Sequence, residues 1–114
     1  MDFRAVSNTI LDLFGNNVYI RVKTITISPS GDEYEEYNDY LAIAGVNDIT
    51  PESDYYKAGE AFIGEKLFFF NSEAEYINEN NTIIFNSEEY KIKKIIKHYS
   101  SNILAGYEVL AKKI

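Results

Sequence analysis

The sequence predicts a mainly β domain with a short N-terminal α-helix and one long irregular loop. Three observations carry that expectation. From Asn80 to Ile114, three short apolar runs are separated by polar turn residues at close spacing, the pattern of a small antiparallel sheet. Two further alternating stretches flank Pro29-Ser30-Gly31-Asp32. Before Gly15, apolar positions recur instead near a 3.6 period. The 114 residues fit a single domain, 1–114. A chain of this length hides roughly 65% of the surface its unfolded form exposes, enough for one modest core. With 46% hydrophobic and 15% aromatic residues, the composition is that of a folded chain.

The helix is expected over about 2–14. Phe3, Val6, Ile10, Leu13 and Phe14 form its apolar stripe, Asp2 caps its start, and Gly15-Asn16-Asn17 stop it. Val18 to Ser28 reads as a strand with Val18, Ile20 and Val22 on one face. The apolar phase then slips to Ile25 and Ile27, which predicts a β-bulge or strong bend near Lys23-Thr24. Glu33 to Val46 is the partner strand. The loop spans about 47–60, with one helical turn expected after Thr50-Pro51. Ala61 to Asn71 is the next strand, and its Phe68-Phe69-Phe70 run calls for burial. Ser72 to Asn81 is a polar connection with Tyr76 and Ile77 expected to point inward. Thr82–Phe85, Tyr90–His98 and Ile103–Leu110 complete the sheet. Their turns are Asn86-Ser87-Glu88-Glu89 and Ser100-Ser101-Asn102.

Charge is unevenly distributed. The net charge of −7 disfavours wrapping nucleic acid, which needs clustered Lys and Arg. Between Asp32 and Glu60, nine acidic residues face a single base, Lys57. Between Lys91 and Ile114, six lysines stand against Glu108 alone. Such patches suit a chain that meets copies of itself head to tail.

Catalytic chemistry is not legible. His98 has no evident nucleophile or carboxylate partner. The acid pairs Asp32-Glu33, Glu35-Glu36 and Glu88-Glu89 fall in loops or on alternating strand positions, where solvated faces are expected. No EF-hand pattern or phosphate-cradling glycine motif occurs, and there is no cysteine for a disulfide or a thiolate metal site. Met-Asp-Phe-Arg lacks a basic n-region and an apolar h-region, so no signal peptide is expected, and no apolar run approaches the roughly 20 residues of a membrane span. Lys91, Lys93 and Lys97 are expected on one strand face with Tyr99. The ten tyrosines suit both strands and protein interfaces. The chain is expected not to be an enzyme and to use no cofactor or metal.

The order of these segments resembles the head-closure (head-completion, or stopper) and head–tail joining proteins of long-tailed bacteriophages and prophages. The resemblance rests on Leu13-Phe14-Gly15 at the helix end, Val18-Tyr19-Ile20-Arg21, the Ser30-Gly31-Asp32 turn and Tyr37-Asn38-Asp39-Tyr40-Leu41-Ala42. It continues through Tyr56-Lys57-Ala58-Gly59, Ile63-Gly64-Glu65 and the strand pair from Asn81 to Ile92. Ser87 stands where the family commonly has Gly, and Asn81 where it has Asp. The resemblance implies a small antiparallel β-barrel with the helix at its side. It also implies a structural virion protein that forms a homo-oligomeric ring, a dodecamer by family expectation, below the portal and adaptor. That ring closes the DNA-filled head and offers a docking surface to the tail.

The partners so implied are further copies of the chain, an adaptor or portal-side connector protein, and a tail-completion or tail-tube protein. DNA only passes through the channel, and no membrane is involved. The place of action is the head–tail junction of the virion, after synthesis in the host cytoplasm. By the same resemblance the long loop is a channel or gating element carrying Asp48, Glu52, Asp54 and Tyr55, and deleting Thr50 to Lys57 is expected to spare the fold. Charge adds a second expectation, that Lys91, Lys93 and Lys97 contact Glu35 and Glu36 of a neighbouring subunit. A tail-completion or tail-terminator protein, or a small acidic monomeric inhibitor, are the alternatives. A small enzyme or ligand-binding barrel would need a pocket around His98.

Overall fold

The computed structural model describes residues 15–114. The expected helix at 2–14 lies outside the described residues. Six strands follow: β1 (Asn16–Ile27), β2 (Glu33–Asp48), β3 (Lys66–Asn71), β4 (Thr82–Phe85), β5 (Glu88–Ser100) and β6 (Ile103–Lys113). One short helix, α1 (Asp54–Lys57), sits between β2 and β3. All neighbouring strands are antiparallel and close into a barrel in the order β1-β2-β3-β6-β5-β4. Closure leaves β4 bonded on both sides, to β1 and to β5.

Alternation places one face of each strand inward. Val18 and Ile20 from β1, Ala44 from β2, Phe68 and Phe70 from β3, Ile83 from β4, Tyr90 and Ile92 from β5, and Val109 and Ala111 from β6 form the buried core. Phe68 sits at its centre, edge-on to Tyr90 at 5.6 Å and to Phe85 at 6.0 Å. Thus Phe68 and Phe70 of the aromatic run are buried as expected, whereas Phe69 lies half-buried on the opposite face. Burial pushes the Tyr90 phenol up to about 12, and its hydroxyl donates to Glu88 Oε2 at 2.9 Å. Side chains fill the barrel.

Two tight turns set the hairpin registers. Asn86 and Ser87 both take positive φ (50° and 64°), and so do Ser101 and Asn102 (51° and 68°). Two consecutive left-handed residues match the type I′ turn that suits strand twist. Ser87 therefore occupies a position that favours Gly, at a local cost of about 1 kcal/mol.

Several sequence expectations are corrected. No bulge interrupts β1 at Lys23-Thr24, because β1 and β2 stay in register from Asn16↔Ala44 to Ile27↔Glu33. The apolar phase slips for another reason: β1 leaves the barrel after Arg21, its last residue paired with β4, so the inward face has no core to meet. The register slips instead between β5 and β6, at Ile92/Lys94 and again at His98/Tyr99, the first of them leaving Lys93 as an extra residue of β5. The first slip flips the pleat, so Lys91 is opposite Lys112 on the outer face, whereas Lys97 pairs with Tyr107, whose ring packs on the core, and is itself exposed. The three lysines do not share one face. The strand expected from Ala61 begins only at Lys66, after Gly64 at φ 98°. The helical turn starts at Asp54 and not directly after Pro51; Ser53 precedes it and accepts the Thr50 N–H at 2.9 Å. Tyr76 points outward and stacks on Tyr40, while Ile77 does pack on the core.

Candidate functional site

The β1–β2 hairpin extends past the barrel as an arm. Beyond Arg21 and Asp39, six further residue pairs carry the ribbon to the Pro29–Asp32 turn, a reach of roughly 20 Å. The β5–β6 hairpin leaves the same end, since strand directions place its Ser101–Asn102 turn on that side. Principal extents of 56 × 30 × 26 Å fit a barrel with both hairpins pointing one way.

The arm's two faces differ. On the face continuing the barrel exterior, cross-strand pairs run Tyr19/Leu41, Arg21/Asp39, Lys23/Tyr37, Ile25/Glu35 and Ile27/Glu33. Arg21 donates two bonds to the Asp39 carboxylate, at 2.9 and 3.0 Å. Lys23 pairs with Glu35 at 2.8 Å, and the Tyr37 hydroxyl donates to Glu35 Oε2 at 2.9 Å. Farther out, Ile25 and Ile27 are 57% and 66% exposed, large values for branched apolar side chains. At the base, the Tyr40 and Tyr76 rings stack at 4.1 Å, and Asn81 Nδ2 donates to the Tyr76 carbonyl at 2.8 Å. The 72–81 connection thereby braces the arm's root.

The arm's ion pairs carry a pH signature. Arg21 holds the Asp39 carboxyl below its usual value, and Lys23 with Tyr37 does the same for Glu35. A carboxyl depressed on folding stabilises the folded arm at neutral pH and loses that contribution as pH falls through its folded pKa. Amide exchange protection in the ribbon, corrected for intrinsic rates, is therefore expected to fall below about pH 4 while β3 and β6 stay protected. Equal protection across that range in both regions would refute this role for the pairs.

At the opposite end, the segment from Ile49 to Glu65 lies against the outside of the barrel. Ile49, Ala61 and Leu110 form a second buried cluster, with Tyr55 and Leu67 packed on it. The Tyr55 hydroxyl donates to Glu108, and burial with that carboxylate raises the phenol's pKa. Lys93, the bulged residue of β5, binds both carboxylate oxygens of Glu65 at 2.9 Å. Glu65 is only 4% exposed, so this pair pins the segment to β5. Beside it, Phe62, Lys91, Lys112 and Ile114 line an open groove of about 580 Å³.

Of the residues expected to line a channel, Asp48 pairs with Lys66 and Tyr55 is an anchor within the second cluster. Glu52 and Asp54 are exposed on and before α1. Deleting 50–57 would remove Tyr55 from that cluster, so it is not expected to spare the fold. Of the expected subunit contacts, Glu35 is engaged by Lys23 and Lys93 by Glu65 within the chain. Glu36, Lys91 and Lys97 are exposed. His98 is exposed opposite Gly106. Among the described residues, no three carboxylate or imidazole groups converge as metal ligands would. Sequence reasoning missed Lys112 and Phe62, which only the register and the loop path bring beside Lys91.

No family model matches the sequence, and no curated protein matches it. Solved structures do resemble its fold. The solution structure of protein SF1141 from Shigella flexneri 2a is 16% identical, covers 86% of this chain and 90% of its own, and superposes with a TM-score of 0.68. A chain of the native gene transfer agent (GTA) virion particle is 7% identical, covers 87% of this chain and 94% of its own, and gives a TM-score of 0.53. At these identities the likeness establishes the fold.

Proposed function

We propose that this chain is a non-enzymatic structural protein of a phage-like particle. It assembles as a ring at the head–tail junction, below the portal and adaptor, and there closes the DNA-filled head and receives the tail. The observation that carries this reading is a filled barrel with two hairpins projecting from one end. The core is packed with side chains, and projecting ribbons with exposed apolar and charged residues suit contacts between subunits. The fold it shares with a chain of a GTA virion particle supports the same reading. Adaptor-side and tail-completion or tail-tube proteins are the neighbours such a ring requires. A place on the tail side, as a tail-completion or tail-terminator protein, would use the same surfaces.

Sequencing the DNA that flanks the gene tests the assignment. Portal, capsid and adaptor-like genes upstream, with tail genes downstream, are expected. Flanking genes for metabolism or host defence would overturn it and favour a monomeric acidic inhibitor.

A further inference from the structure

The arm tip and the far groove are chemically complementary. On the outer face of the arm, Ile25 and Ile27 stand directly opposite Glu35 and Glu33, an apolar column beside an acidic one. Glu33 has no ion-pair partner among the described residues. The groove at the other end repeats the arrangement with the opposite charge. Phe62 and Ile114 are 64% and 72% exposed there, beside Lys91 and Lys112. Those lysines are directly opposed across β5 and β6, and like charges so placed repel. Neither has an ion-pair partner among the described residues, because the groove's carboxylate, Glu65, is committed to Lys93.

We propose that the arm of one copy docks by Ile25, Ile27, Glu33 and Glu35 into the Phe62–Lys91–Lys112–Ile114 groove of a second copy. This rests on the ring reading above and names its subunit contact. The occupant follows from charge: two crowded ammonium groups call for carboxylates, and the arm brings Glu33, which has no ion-pair partner among the described residues, and Glu35, which Lys23 and Tyr37 also hold, beside the apolar side chains that would cover Phe62 and Ile114. Because arm and groove are unlike surfaces at opposite ends, the contact is heterologous. Such a contact propagates from copy to copy, giving a ring where the rotation closes.

The chain contains no cysteine, so engineered thiols report the contact cleanly. Full-length Ile27→Cys and Phe62→Cys chains are mixed at high protein concentration, at low salt, under mild oxidation. A mixed disulfide dimer is expected in clear excess over either homodimer, and a chain carrying both substitutions is expected to give an oligomer ladder. Adding Lys91→Glu and Lys112→Glu to the groove chain is expected to cut the mixed product about tenfold. Glu33→Lys and Glu35→Lys in the arm chain should then restore it. High salt should weaken it. All these sites are exposed, and circular dichroism checks that each variant is folded.

A mixed yield no greater than that of an exposed Glu79→Cys control would overturn the proposal. So would an intramolecular Leu13→Cys to Phe62→Cys bond in monomers, which would give the groove to residues 1–14 of the same chain. A failed crosslink beside portal and tail genes would remove this contact and leave the ring reading intact. A successful crosslink beside unrelated genes would do the reverse.

Discussion

Replacing Gly106 by valine is expected to lower stability by about 3 kcal/mol and Tm by about 10 °C or more. Gly106 is buried in β6, opposite Asn71 of β3 and His98 of β5. A Cβ built there would lie 2.6 Å from the Phe70 carbonyl oxygen. That atom belongs to the backbone, so relief requires the β3–β6 ladder to part, and with it the barrel beside Phe70. Alanine is expected to cost about 2 kcal/mol, because it makes the same clash without the extra branches. Urea unfolding followed by far-UV circular dichroism checks both. Midpoints equal to that of the parent chain would show that β3 and β6 separate freely there, contrary to this account.

Removing Lys93 comes second. Lys93→Met is expected to cost about 3 kcal/mol, the low end for breaking a buried pair, since the ammonium itself is partly exposed. The loss comes chiefly from Glu65, whose carboxylate would be left buried without its cation. Lys93 also bonds the Glu60 carbonyl at 3.3 Å and lies 5.4 Å from the Phe62 ring centre, so the Ile49–Glu65 segment loses its tether. Faster tryptic cleavage at Lys57 is expected alongside the stability loss. The double variant Lys93→Met with Glu65→Leu is expected to recover most of the stability, because two apolar side chains need no mutual charge. A double variant as unstable as the single one would mean that packing, not the stranded charge, dominates.

Where sequence and structure part, the cause is specific. Asn86-Ser87 and Ser101-Asn102 announce turns through residue type, and the structure adds that all four take left-handed backbone. The Phe68-Phe69-Phe70 run requires burial whatever its neighbours are. Alternation, in contrast, reports a face only relative to the local pleat. The shift from Val22 to Ile25 reads as a bulge, yet β1 simply continues into an arm with solvent on both faces. The real bulge at Lys93 is masked because Lys91, Lys93 and Lys97 alternate as in an unbroken strand. Likewise, Tyr55 looks like a loop aromatic until Leu110 and Ile49 close around it.

By itself the sequence determined a β-rich chain, its main strands and turns, its aromatic core run and its separated acidic and basic segments. These depend on residue type and short spacing, which act locally. Only the tertiary structure decided that β4 closes the barrel, that the β1–β2 ribbon projects beyond it, and that Glu65 takes Lys93 while Lys91 faces Lys112. Each of those depends on which distant strand supplies the neighbour. Period-2 patterning is the same whether the next strand is a core partner, a loop or water.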